Sequence, residues 1–239
     1  MVNEKLCIIG DSFCAHRTNL ETDWPCILSK KLYPDEIEIP LGKGFQGASW
    51  WSARKLLYKF KDENVFDNVD TIILLHTEPY RIPSEHHYPL NSNSVIRYSQ
   101  KQFAKTQRRA VPPQVLLAAN YFYKYLELEE FQMWAMDSWC KELDEFLVRF
   151  DSKKILHLFC FSLYNDYRFK TGVTVKTPLY TIAKDNIKKE HSLQEDDEII
   201  RNHFTIKQNF FLANQLYALI DNYTTNRIIE LNIPYENRD

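Results

Sequence analysis

The sequence predicts a three-layer α/β/α domain built on a mainly parallel sheet, and three observations predict it. Short apolar runs of strand length recur at Leu6–Ile9, Thr71–Leu75 and Ile155–Cys160. Stretches with apolar residues at helical spacing separate them, which is the pattern of β-α-β units covered on both faces. The segments beginning at Gly10, Gly42 and His76 each lie just beyond a predicted strand, where open parallel sheets gather their sites.

Taken in order, Leu6-Cys7-Ile8-Ile9 is apolar without alternation and ends at Gly10, so it reads as a buried strand. Ile27, Leu28 and Leu32 keep helical spacing, and Glu36 to Ile39 reads as a second strand after the Pro34 break. Three of the chain's five glycines, Gly42, Gly44 and Gly47, precede a predicted helix from Ala48 to Phe60 that carries Leu56, Leu57 and Phe60 on one face. Asp70 to Leu75 is the clearest strand, with the loop His76-Thr77-Glu78-Pro79-Tyr80-Arg81 after it.

Residues 82–113 are polar and broken by Pro83, Pro89, Pro112 and Pro113, so they read as an insertion or lid. Val115 to Phe150 then supplies one long helix or two, with Leu126, Phe131, Trp134, Trp139, Leu143 and Leu147 at helical intervals. Ile155 to Cys160 gives a further strand, and 162–201 reads as a second irregular, charged insertion. Thr205 to Tyr223 closes the pattern as a helix with Phe210, Phe211, Leu216, Leu219 and Ile220 inward. Residues 1–239 are read as a single domain of this kind.

Composition narrows the functional classes. Apolar residues are 44% and charged residues 26%, as in ordinary globular proteins. A net charge of -2 and a pI of about 6.4 give no general attraction to nucleic acid or anionic membrane. The five cysteines form no C-x-x-C pair and are expected as reduced thiols. Neither a secretory signal nor a membrane-spanning run is seen, so a cytoplasmic location is expected.

Gly10-Asp11-Ser12-Phe13 after the first strand resembles the first block of the SGNH (GDSL-type) hydrolases, and the Gly44-Phe45-Gln46-Gly47-Ala48-Ser49 stretch resembles their second. Asn202-His203-Phe204-Thr205 before the last helix resembles the block that carries their histidine. The resemblance implies a flavodoxin-like α/β/α fold and acyl-ester chemistry. Ser12 would be the nucleophile, His203 its base, and the N–H groups of Ser12 and Gly47 the oxyanion hole.

The sequence departs from the family twice. His76-Thr77-Glu78-Pro79 stands where the family has Gly-x-Asn-Asp, and Ile200 stands where it has the aspartate three residues before the histidine. Asp11, Thr77, Glu78, Arg81 and Asp197 are therefore the supporting candidates. Asp11 caps the helix after strand one or holds the loop, and Thr77 or His76 supplies the missing donor. Glu78 approaches His203 from the neighbouring loop, Asp196 and Asp197 stand near it in sequence at a different spacing, and a serine–histidine dyad is the alternative. Arg81 either pairs with Glu78 or binds an anionic substrate group.

The implied substrate is an ester or acetyl group on a small molecule or carbohydrate, with no cofactor and no metal. Acyl transfer to a hydroxyl acceptor uses the same groups. The alternative is a catalytically weakened SGNH-like binding or structural module, for instance in a viral assembly. His86 and His87 beside Glu85 lack the further ligands of a metal site and read as a solvated loop. The basic and aromatic stretch Arg97 to Arg109 reads as a solvated lid surface in preference to a nucleic-acid contact. Trp50, Trp51, Trp134 and Trp139 read as core packing, with Trp50 near the pocket.

Overall fold

A computed structural model of the chain describes residues 6–15, 21–34, 40–42, 44, 48–81, 83, 90, 92, 95, 112–162, 166–183 and 203–232. Five strands form one sheet in sequence order: β1 (Leu6–Ile9), β2 (Thr71–His76), β3 (Lys154–Phe159), β4 (Val173–Val175) and β5 (Arg227–Ile229). Every neighbouring pair is parallel, with Ile8 opposite Ile73 and Ile73 opposite Leu156. Helices among the described residues include α1 (Trp24–Leu32), α2 (Trp50–Asp62), α3 (Pro113–Tyr121), α4 (Glu129–Leu147) and α5 (Ile206–Asp221).

Side-chain alternation along the strands builds the layers. Leu6, Ile8, Ile73, Leu75, Leu156, Leu158, Val173 and Val175 face α1 and α5, where Trp24, Leu28, Leu212, Leu216 and Ile220 meet them. Cys7, Ile9, Ile72, Leu74, Ile155 and Phe159 face the other way, onto Leu57 of α2 and Met136, Trp139, Leu143 and Leu147 of α4. Since both faces are covered, these strands are mainly apolar on both faces, and their polar members Thr71, His76, His157 and Thr174 are themselves buried. Each fully buried Leu or Ile in them contributes about 1.5–3 kcal/mol. The three-layer α/β/α architecture expected from the sequence is thus the one present.

Leu41 joins the side of β1 away from β2: Ile8 N–H donates to its carbonyl at 2.8 Å, and its own N–H donates to Leu6 at 2.9 Å. Gly44 bridges in parallel to Gly10. A Cβ on Gly44 would strike the Asp11 carbonyl oxygen and the Ala15 nitrogen, so this glycine lets one backbone lie against the turn that follows β1. The strand expected at 36–39 falls outside the described residues.

Several sequence expectations are corrected. The 162–201 segment is not irregular throughout, because Val173–Val175 is a sheet strand with all three residues buried. Three residues are too few to leave a periodic signature. Neither β4 nor β5 was foreseen. The 115–150 region, read as one long helix or two, is two helices joined by a π-helical turn, Phe122–Leu126. Its first part is turned outward: Leu126, Phe131 and Trp134 are 71%, 59% and 63% exposed, whereas Trp139, Leu143 and Leu147 are buried. On α5, Phe210 is exposed while Leu216 and Ile220 are buried. All five cysteines are free and buried. Among the described residues, no helix is long and apolar enough to cross a membrane.

Candidate active site

Beyond β1, Gly10 allows the chain to turn at a point where any Cβ would collide with the Leu75 side chain. Asp11 then caps a short 3-10 turn, Ser12–Cys14, its Oδ1 accepting the Phe13 N–H at 3.0 Å. Ser12 is the first residue of that turn, where a main-chain N–H has no partner within the turn.

At the other end of the chain, His203 stands two residues before the N-cap of α5 with φ of 69°, in the left-handed region. Thr205 and Gln208 form a capping box on α5, and Gln208 Nε2–H also donates to the Ile182 carbonyl at 2.8 Å. Phe204 is fully buried. These restraints hold His203 in a backbone conformation that disfavours most side chains.

The two turns bring Ser12 Oγ to 2.8 Å from His203 Nε2 across 191 residues of sequence. With the imidazole protonated on Nδ1, Nε2 accepts the serine hydroxyl hydrogen, the geometry required of a nucleophile and its base. The ring of Phe13 lies against the imidazole with centroids 4.8 Å apart.

Arg81 organises the serine side. It is 9% exposed, and its guanidinium donates from Nε to Glu78 at 2.9 Å and from Nη1 to the Ala48 carbonyl at 3.0 Å. Nη2 lies 3.8 Å from Asp11 Oδ2, an oxygen with no hydrogen bond among the described residues. Phe161 packs under the same guanidinium at 5.6 Å. Burial alone would lower the pKa of Arg81, but the carboxylates of Asp11 and Glu78 outweigh it and raise the value, so the group stays charged. Of the two roles expected for Arg81, the pairing with Glu78 is present.

Asp11 takes a second hydrogen bond at Oδ1 from the Cys160 thiol, at 3.2 Å. Burial and then the Asp11 charge push the Cys160 pKa well up, so the thiol keeps its proton and serves as a donor. Thr77 is buried, lines a small cavity with Gly10, Asp11 and Ala48, and its hydroxyl has no hydrogen-bond partner among the described residues. Trp50 stacks on Trp139 with centroids 6.4 Å apart, as core packing requires. Gly47, Asp197, the Glu85-His86-His87 cluster and the 97–109 stretch lie outside the described residues. No cluster of metal-ligating side chains occurs among the described residues.

Below the Arg81 loop, His76, expected as an alternative oxyanion donor, instead pairs with His157, a contact the sequence did not reveal. His76 ends β2, and its Nε2 is 3.0 Å from His157 Nδ1; His157 Nε2 is 3.1 Å from the Thr171 carbonyl. Because that carbonyl can only accept, His157 carries its proton on Nε2 and receives the His76 N–H on Nδ1. Phe169 stacks on His157 at 3.7 Å between centroids. Burial pushes His76 down to about 3; burial and then the neighbouring His76 push His157 well below its ordinary value, so both are neutral.

Fold and site together define an α/β protein with a serine–histidine pair beyond the carboxyl ends of a parallel sheet. No protein-family profile and no curated protein matches the chain. Among solved structures it is similar to an α/β hydrolase enzyme from the metagenome of Lake Arreo, Spain, at 15% identity and a TM-score of 0.30, over 68% of this chain and 63% of that one. It is also similar to a mutant of an acetyl-xylooligosaccharide esterase from Geobacillus Stearmophilus, at 13% identity and a TM-score of 0.31, over 98% of this chain and 78% of that one. The chain therefore spans less than two thirds of the length of the Lake Arreo enzyme. Both likenesses are distant, and the chemistry of the site rests on its own geometry.

Proposed function

We propose that the chain is a serine hydrolase of the esterase or deacetylase type, acting on an ester or acetyl group of a small molecule or carbohydrate. The observation that carries this reading is the 2.8 Å approach of Ser12 Oγ to His203 Nε2. Serine is a weak nucleophile at neutral pH and needs a base within hydrogen-bond reach, which His203 supplies.

In the reaction, Ser12 Oγ bonds to the substrate carbonyl carbon as its proton passes to His203 Nε2. The resulting oxyanion is held by the Ser12 N–H, with Gly47 the second donor that the family resemblance implies. Collapse breaks the bond to the leaving oxygen, which takes the proton from His203 and departs as an alcohol. Water then attacks the acyl-serine, gives its proton to His203, and releases the acid as Ser12 recovers its hydrogen. Of the two acids expected near His203, Glu78 is engaged by Arg81. No cofactor is needed for this chemistry.

Hydrolysis of p-nitrophenyl acetate by the native protein, Ser12→Ala and His203→Ala tests the reading. The expected result is turnover by the native chain that falls to background in both variants. Added alcohols that accept the acetyl group would redirect the reading to transfer. Turnover that survives Ser12→Ala, or none from the folded native chain, would overturn it in favour of a binding or structural module.

A further inference from the structure

Ser12 and His203 each sit on a turn, so strand pairing does not by itself fix the distance between them. Trp24, the first residue of α1 and fully buried, donates towards both turns. Its indole Nε1–H donates at 2.7 Å to the carbonyl of Phe13, the residue after Ser12. Its main-chain N–H donates at 2.9 Å to Oδ1 of Asn209 on α5, also fully buried. Asn209 in turn donates from Nδ2 to the carbonyls of Phe204, at 3.3 Å, and Thr205, at 3.0 Å, the two residues after His203.

The arrangement is more than incidental packing. The first N–H groups of a helix lack partners within it, and Asn209 takes the Trp24 donor from a distant helix. Asn209 occupies the apolar stripe of α5 with Leu212, Ala213 and Leu216, where an amide is tolerated only when its hydrogen bonds are filled.

We infer that Trp24 and Asn209 are positioning residues, and that the bridge Phe13–Trp24–Asn209–Phe204 sets the separation of Ser12 Oγ and His203 Nε2. The role in catalysis rests on the reading of those side chains as nucleophile and base. A displacement of 1 Å would stretch a 2.8 Å contact beyond hydrogen-bond length, and misplacements of that size cost about 10²-fold in rate.

Trp24→Phe removes the indole donor while keeping an aromatic ring. Asn209→Ala cuts the other end without adding bulk. Phe66→Leu, in the core on the opposite face of the sheet, is the stability control. Two measurements are made on each folded variant: the rate at which a fluorophosphonate labels Ser12, and the 15N shift of His203 Nε2 at fixed pH. The bridge requires labelling to slow about 10- to 100-fold in both Trp24→Phe and Asn209→Ala, with little change in Phe66→Leu. It also requires the Nε2 signal to move as far as it does in Ser12→Ala. Native labelling together with a native Nε2 signal in either bridge variant would overturn the inference. If the native protein is not labelled at all, the esterase reading fails, and the Nε2 shift alone decides whether the bridge holds the pair together.

Discussion

Among the described residues, a buried ionic group braces the Ser12 turn, whereas the groups bracing the residues just after His203 are amides and hydroxyls. The serine turn is capped by Asp11, which faces the buried guanidinium of Arg81, and Arg81 also holds Glu78 and the Ala48 carbonyl. The histidine turn is held by amide and hydroxyl groups: the capping box of Thr205 and Gln208, and Asn209 beneath it. An ionic restraint is costly to break because a charge is left behind without water. A neutral one costs less to break, and its geometry does not depend on pH or salt. The nucleophile is thus mounted on the more brittle of the two supports.

The largest effect that sharpens this contrast is at Arg81. Arg81→Met leaves the fully buried Asp11 without the guanidinium that faces it and should destabilise the fold by about 3–5 kcal/mol in urea unfolding. Arg81→Lys should recover only part of that, because an ammonium cannot make the forked contacts to Glu78 and Ala48. Equal stability of Arg81→Met and the native chain would show that the ionic support is not one.

Acid gives the next effect. His76 lies at the end of β2, from which the Arg81 loop departs, and it faces His157, Phe159 and Phe169. Its folded pKa, about 3, is below the unfolded value near 6.5, so the unfolded chain binds a proton that the folded chain refuses. The associated stability is complete above pH 6.5 and is lost as pH falls from there towards 3, by on the order of several kcal/mol. Unfolding free energies at pH 7 and pH 4.5 should show the loss, and His76→Phe with His157→Phe should flatten it. An unchanged slope in the double variant would place the acid sensitivity elsewhere.

The smallest effect is on the neutral side. Thr205→Ala removes one half of the capping box and should cost about 1 kcal/mol, with no dependence on salt. A loss as large as that of Arg81→Met would erase the distinction between the two supports.

Much of the frame was legible because β1, β2 and β3 are buried on both faces and so read as largely apolar runs. β4 and β5 were not, since Val173–Val175 and Arg227–Ile229 are short and β5 is partly exposed. Helical spacing located α4 but not its orientation: Trp134 and Trp139 both fit the period, yet only Trp139 meets the sheet. Ser12 and His203 were found through the order of short motifs around them. Trp24, Asn209 and Cys160 were not, because their hydrogen bonds span 185 and 149 residues and leave no local pattern. The one trace of Asn209 was an amide at a position of α5 where the stripe otherwise runs apolar.

The most direct test of an activated serine is to treat the purified protein with a fluorophosphonate and map the adduct by mass spectrometry in the native chain, Ser12→Ala and His203→Ala. The account predicts one adduct, on Ser12, absent from both variants. No adduct on the folded native protein, or an adduct that persists in His203→Ala, would contradict it.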